Sequence, residues 1–288
     1  MNLTNKVIVV TGAGSGIGRE LALQLVAKGA IVAGADYNEQ ALLETEQLVS
    51  QQNTDSKSRF SCHKVDISNN AQVQETAQAV VDLHGQVDGI INNAGIIQPF
   101  SHVEKLAVEH MERIFNVNWW GVVYMTRAFL PALKQSSQAR IVNISSMGGY
   151  MPFPGQVIYG ASKAAVKLMT EGLMVELADT KVGVSVVYPG AVQTNITHNA
   201  PDMSDEAKLA ATEQEDKKVG VTAEAAAKAI IKGIEKNKSR ILVGSDCKFI
   251  DKLYRLMPVK TAHLMSWLMK KFAGIDMEQA VSEQSDTK

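Results

Sequence analysis

A tyrosine and a lysine stand four residues apart in the segment YGASK, residues 159–163. On a helix this spacing projects Tyr159 and Lys163 from one face. The ordinary pKa of tyrosine, about 10, is too high for a base near neutral pH, but an adjacent ammonium group lowers it by about 1 to 3 units. The pair therefore predicts an acid/base site that moves a proton to or from a substrate oxygen. Because the same spacing is also typical of an exposed helix face, the interpretation depends on the neighbouring motifs.

A glycine-rich loop near the N-terminus has the pattern of a phosphate-binding turn. Residues 11–18 read TGAGSGIG and lie between the apolar run Val7–Val10 and a helical pattern. In such a loop Gly12 permits a tight turn, Gly16 lets the backbone approach a pyrophosphate, and Gly18 allows close helix packing. The phosphates then meet the N-terminus of the helix. The loop predicts a dinucleotide site that includes Gly12, Ser15, Gly16, Ile17 and Gly18.

Acidic residues at the ends of two predicted strands bear on the choice of cofactor. Asp36 ends the second strand at roughly the 20-residue distance expected of a dinucleotide fold. Its carboxylate can accept both ribose hydroxyls of NAD and would repel the 2′-phosphate of NADP. Ser15 is neutral, whereas Arg19 keeps NADP as the less favoured alternative. Asp36 can instead cap the next helix, and Asp66, after the third strand, either meets the adenine or helps Ser68 to start a helix.

Further motifs follow at regular positions along the chain. They are NNAG at 92–95, Asn118 within NVNWWG, the serine pair of NISSMGG, and PGAVQT at 189–194. Together with TGAGSGIG and YGASK at these spacings, they make the chain from about Leu3 to Val243 closely resemble the short-chain dehydrogenase/reductase family, in its TGxxxGxG subgroup.

The resemblance implies a role for each matching residue. Tyr159 would be the general acid/base, and Lys163 would hold the nicotinamide ribose and lower the pKa of Tyr159. In the family the orienting serine lies thirteen positions before the tyrosine, which selects Ser146 rather than Ser145. Asn118 would hold a water that relays protons to Lys163. The remaining cofactor contacts implied are Asp66, Ile67 and Asn93 on the adenosine side, and Val192 and Thr194 at the carboxamide.

The elements that must position these residues are visible as short β-branched runs that alternate with longer helical patterns. This rhythm predicts βαβ units and a parallel sheet with helices on both faces. The predicted strands are Val7–Val10, Ile31–Ala33, Phe60–Val65, Gly89–Ile91, Arg140–Ile144, Val182–Val187 and Ile241–Val243. We expect a single α/β domain of Rossmann type over residues 1–244, built on a doubly wound seven-stranded parallel sheet. Within it, the polar stretch from about 194 to 219 is expected to form a mobile lid over the substrate.

Residues 245–288 are expected to form a helical C-terminal extension that ends in a polar tail from Ser282. Leucines and methionines recur in the extension at helical spacing, with basic residues between them. Such helices can pack between subunits, roof an apolar pocket, or lie on a membrane surface. The sequence leaves these three alternatives open. The apolar character motivates the hypothesis of a lipophilic secondary alcohol or ketone as substrate.

Composition excludes several classes of function. A formal net charge of -1 and a pI near 6.6 provide no overall basic field for nucleic acid. No apolar run reaches the roughly 18 residues of a spanning helix, so any membrane contact is expected to be peripheral. Cys62 and Cys247 show no CxxC spacing, which favours the reducing cytoplasm. The six histidines show no metal-ligand spacing, so no metal is expected.

These observations predict an NAD(H)-dependent oxidoreductase that transfers hydride between nicotinamide and a secondary alcohol or ketone. The alternative is a non-catalytic NAD-binding protein that senses redox state. The resemblance implies a homodimer or homotetramer, and Trp119 and Trp120 are expected to serve burial or subunit contact. Asn92 and Ser145 are open to structural interpretations, as a brace between strands and as a local hydrogen bond.

Overall fold

The computed structural model describes residues 1–52, 59–193 and 220–272, with side chains described as far as Leu268 in the last helix. Three predicted features lie outside the described residues: the lid from about 194 to 219, Thr194 within it, and the polar tail from Ser282.

Seven parallel strands form the central sheet, and two further strands form a separate parallel pair. The strands are β1 (Val7–Thr11), β2 (Ile31–Asp36), β3 (Phe60–Lys64), β4 (Gly89–Asn92), β5 (Ala139–Ile144), β6 (Val182–Pro189), β7 (Val192–Gln193), β8 (Val221–Thr222) and β9 (Arg240–Val243). The order in the main sheet is β3-β2-β1-β4-β5-β6-β9, which confirms the doubly wound seven-stranded sheet. The strand order reverses between β1 and β4, so their carboxyl ends border the crevice where ligands bind in this architecture.

Helices cover both faces of the sheet. They are α1 (Gly16–Ala27), α2 (Glu39–Gln52), α3 (Asn70–His84), α4 (Val108–Phe115), α5 (Gly121–Gln135), α6 (Val157–Glu176), α7 (Ala223–Glu235), α8 (Ser245–Leu256) and α9 (Pro258–Phe272). One core cluster includes residues of α1, α2 and α7, and a second includes residues of α3, α5 and α6. Because both faces are covered, every residue of β1, β4 and β5 is buried, and β1 is apolar apart from Thr11.

A short chain of buried polar side chains joins the sheet to its helices. The Asn92 amide donates to the Asn143 side-chain oxygen at 2.8 Å and to the Thr126 hydroxyl at 3.2 Å. Asn143 in turn donates to the Thr170 hydroxyl at 2.9 Å. Asn92 therefore braces β4 against β5 and α5, in line with the structural interpretation of this residue.

The structure differs from the predicted elements at two places. The helical pattern of the sequence runs through Phe115 and Met125 without a break, whereas the structure contains a π-helical turn, Asn116–Trp120, between α4 and α5. The pair of β7 and β8 was not predicted, because two-residue strands leave no periodic pattern in a sequence.

The C-terminal extension packs against the main body beside the end of β6. The Cys247 thiol in α8 donates to the Tyr188 carbonyl oxygen at 3.1 Å, and the Tyr150 hydroxyl donates to the Cys247 carbonyl oxygen at 3.2 Å. The edge-on rings of Tyr150 and Tyr188 complete this contact. Among the helices of the described part of the chain, none is long and apolar enough to cross a membrane.

Candidate active site

The tyrosine and the lysine lie on one face of the first half of α6. Tyr159 is partly buried, and Lys163 is only 3% exposed. The Lys163 ammonium lies 5.9 Å from the centre of the Tyr159 ring and donates a hydrogen bond to the Ile144 carbonyl oxygen at 3.2 Å. The predicted pair therefore meets the carboxyl end of β5.

The two serines that follow β5 have different surroundings. The Ser145 hydroxyl is buried and donates to the Lys163 carbonyl oxygen at 2.7 Å, so it fixes the helix backbone. The Ser146 hydroxyl accepts from the Gly148 amide at 3.0 Å, and both this hydroxyl and the Tyr159 ring lie within 3.7 Å of a Cβ added at Gly148. The structure thus places Ser146, and not Ser145, at the phenol.

Burial dominates the electrostatics of the pair. It raises the pKa of Tyr159 above its ordinary value, and the hydrogen bond from Ser146 acts in the opposite direction. Burial also lowers the pKa of Lys163 to about 8. Both shifts favour the neutral form, so the chain's own groups keep the phenol protonated. The lowering of the Tyr159 pKa by Lys163 that the resemblance implies stays a prediction.

Asn118 lies in the π-helical turn and is completely buried. Its side-chain oxygen accepts from the Ile96 amide at 2.8 Å, and its amide donates to the Ile96 carbonyl oxygen at 2.9 Å and to the Ser162 hydroxyl at 3.1 Å. A Cβ added at Gly95 would lie 3.0 Å from the Lys163 ammonium nitrogen and 3.1 Å from the Asn118 oxygen. The structure therefore brings Asn118, Gly95 and Lys163 together, and π turns are common at functional sites.

The glycine-rich loop fits a bound pyrophosphate. Gly12 and Gly16 have positive φ angles of 68° and 51°, a conformation that favours glycine. A Cβ on Gly18 would collide with the Gly12 carbonyl oxygen, so α1 packs directly on the turn. The side chain of Ser15 makes no capping hydrogen bond to α1, and no acidic residue stands in the first turn of that helix. The N-terminus of α1, with Ile17 in its first turn, is thus suited to an anion.

Asn93 secures this loop to the end of β4. Its side-chain amide donates to the Thr11 carbonyl oxygen at 3.0 Å. The backbone amides of Asn93 and Ala94 both donate to the Thr11 hydroxyl, at 2.9 and 3.0 Å. Thr11, the last residue of β1, was not among the predicted site residues, although it opens the glycine motif.

Asp36 lies beside the glycine loop at the end of β2. One carboxylate oxygen accepts from the Gly14 amide at 2.8 Å, and the other accepts from the Asn38 amide at 2.9 Å. Each carboxylate oxygen has a further lone pair that a ribose hydroxyl can use. Arg19 points to α2, where it forms an ion pair with Glu44 at 2.9 Å.

Asp66 and Ile67 follow β3. One Asp66 carboxylate oxygen accepts from the Ser68 amide at 2.9 Å and from the Ser68 hydroxyl at 2.6 Å, which closes a local turn. Helix α3 begins after Asn69, whose side chain accepts from two amides of the first turn. Of the two alternatives left open for Asp66, helping Ser68 to start the helix does not agree with the structure, because Asn69 is the N-cap residue. Ile67 is buried, and a Cβ on Gly121 would press on its side chain.

The carboxamide side of the predicted site is described in part. Val192 lies in β7, is partly buried, and packs against the core. Beside it, an Asp246 carboxylate oxygen at the start of α8 accepts from the Ala191 amide at 2.9 Å. The extension therefore holds the turn that leads from β6 to Val192.

Sequence reasoning missed Gln98 and Gln156, two buried glutamines at the N-terminus of α6. The side-chain oxygen of Gln98 accepts from the Tyr159 amide at 3.0 Å, and its amide donates to the Gly155 carbonyl oxygen at 2.9 Å. Gln156 donates to the Gln98 carbonyl oxygen at 2.9 Å. Gln98 thus positions the first turn of α6, and its place three residues after NNAG was the only available signal.

A doubly wound parallel sheet, a glycine turn at its switch point and a serine, tyrosine and lysine site at its carboxyl edge define the class of Rossmann-fold oxidoreductases. The family model for short chain dehydrogenase matches residues 6–205. The chain belongs to the short-chain dehydrogenase/reductase family and is an oxidoreductase of that family.

Relatives with similar sequences carry oxidoreductase names. A Mycobacterium tuberculosis protein, SadH, described as an oxidoreductase, is 38% identical over 270 residues, which cover 93% of this chain and 96% of that protein. An uncharacterized oxidoreductase of Staphylococcus epidermidis is 35% identical over 206 residues, which cover 72% of this chain and 86% of that protein.

Solved structures of the family match the fold. A short chain dehydrogenase/reductase from Burkholderia phymatum in complex with NAD matches with a TM-score of 0.75 and 31% identity, covering 84% of this chain and 90% of that chain. A short chain dehydrogenase from Burkholderia cenocepacia in complex with NADP matches with a TM-score of 0.73 and 26% identity, covering 92% and 99%. A nicotinamide cofactor is common to both.

Proposed function

We propose that the protein is an NAD(H)-dependent dehydrogenase/reductase that interconverts a secondary alcohol and a ketone. The observation that carries the proposal is that the Ser146 hydroxyl and the Tyr159 ring lie together at Gly148, beside the buried ammonium of Lys163. The alternative of a non-catalytic redox sensor gains no support from the described residues, because a sensor requires none of this proton chemistry.

The nicotinamide cofactor supplies or accepts the hydride when it is bound, and the side chains manage the proton. In reduction the Tyr159 phenol donates its proton to the substrate carbonyl oxygen, and in oxidation it removes the hydroxyl proton. Ser146 orients the same oxygen through its hydroxyl group. Lys163 would hold the nicotinamide ribose, and its positive charge would favour the phenolate that forms in reduction. Asn118 would hold the water that returns a proton to Lys163.

The same proposal assigns the cofactor contacts. The glycine loop, with Gly12, Ser15, Gly16, Ile17 and Gly18, would hold the pyrophosphate; Asp36, Asp66, Ile67 and Asn93 would hold the adenosine; and Val192 and Thr194 would hold the carboxamide. NAD is the preferred cofactor because the Asp36 carboxylate would repel a 2′-phosphate, while Arg19 is paired with Glu44. A free small molecule is the substrate, and we expect a homo-oligomer in the cytoplasm.

A lipophilic substrate is supported by the side chains around the phenol. The Phe153 ring and the Tyr159 ring flank Gly148, each 3.7 Å from the place of an added Cβ. Apolar groups at these positions favour binding of hydrocarbon over sugars or polyols.

The decisive experiment compares wild type with Tyr159→Phe by NADH absorbance over a panel of alcohols and ketones. Loss of the phenol hydroxyl removes the proton donor, so kcat/KM is expected to fall by at least about a thousandfold. NADH binding, followed by fluorescence, and the Tm are expected to remain close to wild type. Turnover that survives this substitution contradicts the mechanism, and turnover of polyols alone contradicts the lipophilic substrate.

Cofactor preference is tested on the wild-type protein with the same assay. We expect kcat/KM to be at least about a hundredfold higher with NAD than with NADP, because a phosphate near the Asp36 carboxylate is repelled. Asp36→Asn keeps the acceptor for the Gly14 amide and removes the negative charge. The ratio of kcat/KM with NAD to kcat/KM with NADP is therefore expected to fall, mainly because kcat/KM with NADP rises. A wild-type preference for NADP contradicts the assignment of Asp36.

A further inference from the structure

The two C-terminal helices, α8 and α9, each expose basic and apolar side chains to solvent. The exposed residues of α8 are spaced by three and four positions, which places them on one side of the helix; they are Ser245, Lys248, Phe249, Lys252, Arg255 and Leu256. The opposite side of α8 carries Cys247, Ile250 and Asp251, which are buried. Among the described residues, the outward side of α8 is exposed to solvent.

Helix α9 repeats the pattern after Pro258. Its exposed residues are Val259, Lys260, His263, Leu264 and Trp267, whereas Thr261 is buried. We refer to the exposed residues of α8 and α9 together as the C-terminal basic face.

Large apolar side chains are clustered on this face. Phe249 is 67% exposed, Leu256 79% and Val259 69%. Phe249 and Leu256 lie two turns apart on the same side of α8, and Val259 follows at the start of α9. Single exposed apolar residues are ordinary, whereas several in one short segment are typical of an interaction site.

The charge of the face has one sign. Between Ser245 and Leu268 the exposed ionisable side chains are four Lys or Arg residues and His263. The two acidic residues of this segment turn inward: Asp246 accepts from the Ala191 amide, and Asp251 is buried in an ion pair with Arg240 at 2.8 Å. Residues 245–272 contain six Lys and Arg against two Asp, whereas the whole chain has 29 basic and 30 acidic residues. Positive charge is thus concentrated on the exposed residues of α8 and of the described part of α9.

The charge and the apolar residues of the C-terminal basic face favour one of its possible binding partners. A two-fold contact with a second copy would place lysines against lysines, which is unfavourable. Nucleic acid would use the charge but would leave Phe249, Leu256 and Val259 exposed. The surface of an anionic bilayer can bind both the basic and the apolar side chains, because apolar side chains enter the headgroup boundary and Lys and Arg are attracted to lipid phosphates.

We propose that the C-terminal basic face docks this protein on the surface of an anionic lipid bilayer. The helices would lie on the membrane and not span it. Asp246, in the first turn of α8, binds the turn that leads to Val192, so docking would bring the carboxyl edge of the sheet close to the lipid. The proposal goes beyond the oxidoreductase activity and does not depend on it.

Co-sedimentation of the full chain with phosphatidylcholine vesicles, with and without phosphatidylglycerol, tests the proposal. Wild type is expected to sediment with the anionic vesicles and not with the neutral ones. Lys248→Glu with Lys252→Glu is expected to lower the partition coefficient by at least about tenfold. The matched control, Lys228→Glu with Lys232→Glu on exposed positions of α7, makes the same change in net charge and is expected to leave partition unchanged.

A second pair of substitutions separates lipid from other polyanions. Phe249→Ser with Leu256→Ser keeps the charge and is expected to lower partition by at least about tenfold as well. Absence of wild-type binding to anionic vesicles, no effect of this pair, or an equal loss in the α7 control overturns the proposal. A fall in oligomer mass caused by this pair without vesicles would assign the face to a second copy and also overturns it. Unchanged Tm and unchanged turnover of a water-soluble ketone show that any lost binding is not lost folding or lost activity.

Discussion

Burial of Lys163 in the proposed site lowers the stability of the folded protein. Its ammonium is buried beside Gly95 and Asn118 and donates to one carbonyl oxygen, that of Ile144. Burial removes water from the charged form and lowers its pKa to about 8 from the ordinary 10.5. The folded protein therefore carries an electrostatic penalty at neutral pH, of the kind retained at functional positions.

We expect Lys163→Met to stabilise the cofactor-free protein while abolishing turnover. Below pH 8 the folded wild type holds the buried charge, so the penalty, about 1 to 3 kcal/mol, is present in full. As the pH rises from about 8 to 10.5 the unfolded state binds more protons than the folded state, and the penalty disappears. The Tm of the variant is expected to exceed that of wild type at neutral pH, with a gap that narrows toward pH 10.5 in thermal unfolding followed by circular dichroism. A lower Tm for the variant at neutral pH would contradict this account.

Some site residues were predictable because their roles are fixed by local sequence. The glycine loop and the YGASK segment combine a motif with the element that carries it, so their positions follow from the strand and helix patterns. Gln98 was not predictable in this way, because it binds the Tyr159 amide across 61 positions of sequence. The sequence also left the first residue of α3 open: Ser68 and Asn69 are both good capping residues, and the hydrogen bonds of the structure show that Asn69 is the one that caps α3.

The helices that carry the site are held at their ends by neighbouring loops. Helix α6 begins at Val157 without a side-chain cap from its own N-cap residue, Gln156, and Gln98 contributes an acceptor instead. Helix α8 similarly contributes Asp246 to the turn after β6, where Gly190 leaves space for that carboxylate. The C-terminal extension therefore acts as a support for the predicted carboxamide contact.

Asp246→Ala is expected to weaken cofactor binding without removing catalysis. The Ala191 amide loses its acceptor, so the turn that leads to Val192 becomes less well fixed. We expect Kd for NADH, measured by fluorescence titration, to rise by about fivefold to twentyfold, while kcat at saturating cofactor changes less than threefold, since about 1 to 2 kcal/mol of hydrogen bonding is lost. Asp246→Asn keeps an acceptor oxygen and serves as the control that restores binding. Equal loss in both variants would show that the negative charge, and not the hydrogen bond, is important.

For the molecule as a whole, the sheet was the most predictable feature. Parallel strands that are covered on both faces have runs of apolar residues in the sequence, and all seven strands of the main sheet were predicted from such runs. Their carboxyl ends were less clear, because β1, β2 and β4 end in the polar residues Thr11, Asp36 and Asn92, at the edge of the sheet that borders the ligand crevice. The site itself therefore interrupts the pattern from which the strands were inferred.

The surface of α6 opposite the sheet is a candidate contact between subunits. Leu168, Gly172 and Val175 share one side of the helix at intervals of four and three residues. Leu168 is 69% exposed and Val175 78%, and a Cβ on Gly172 would meet no atom within 4 Å. Trp120, in the π-helical turn, is also exposed. A flat apolar helix face with a central glycine allows close approach of a symmetry-related helix.

We therefore expect Leu168→Glu with Val175→Glu to convert the homo-oligomer into a smaller species. A two-fold contact would bury the introduced carboxylates close to each other. The free-energy cost of burying these charges is expected to exceed the stabilisation from the apolar area that remains in the contact. Size-exclusion chromatography with light scattering measures the mass directly. Leu83→Glu, at an exposed apolar position of α3, is the control and is expected to leave the mass of wild type unchanged. If the double variant keeps the wild-type mass, α6 is not the subunit contact, and if wild type is itself a monomer, the expectation of a homo-oligomer is wrong.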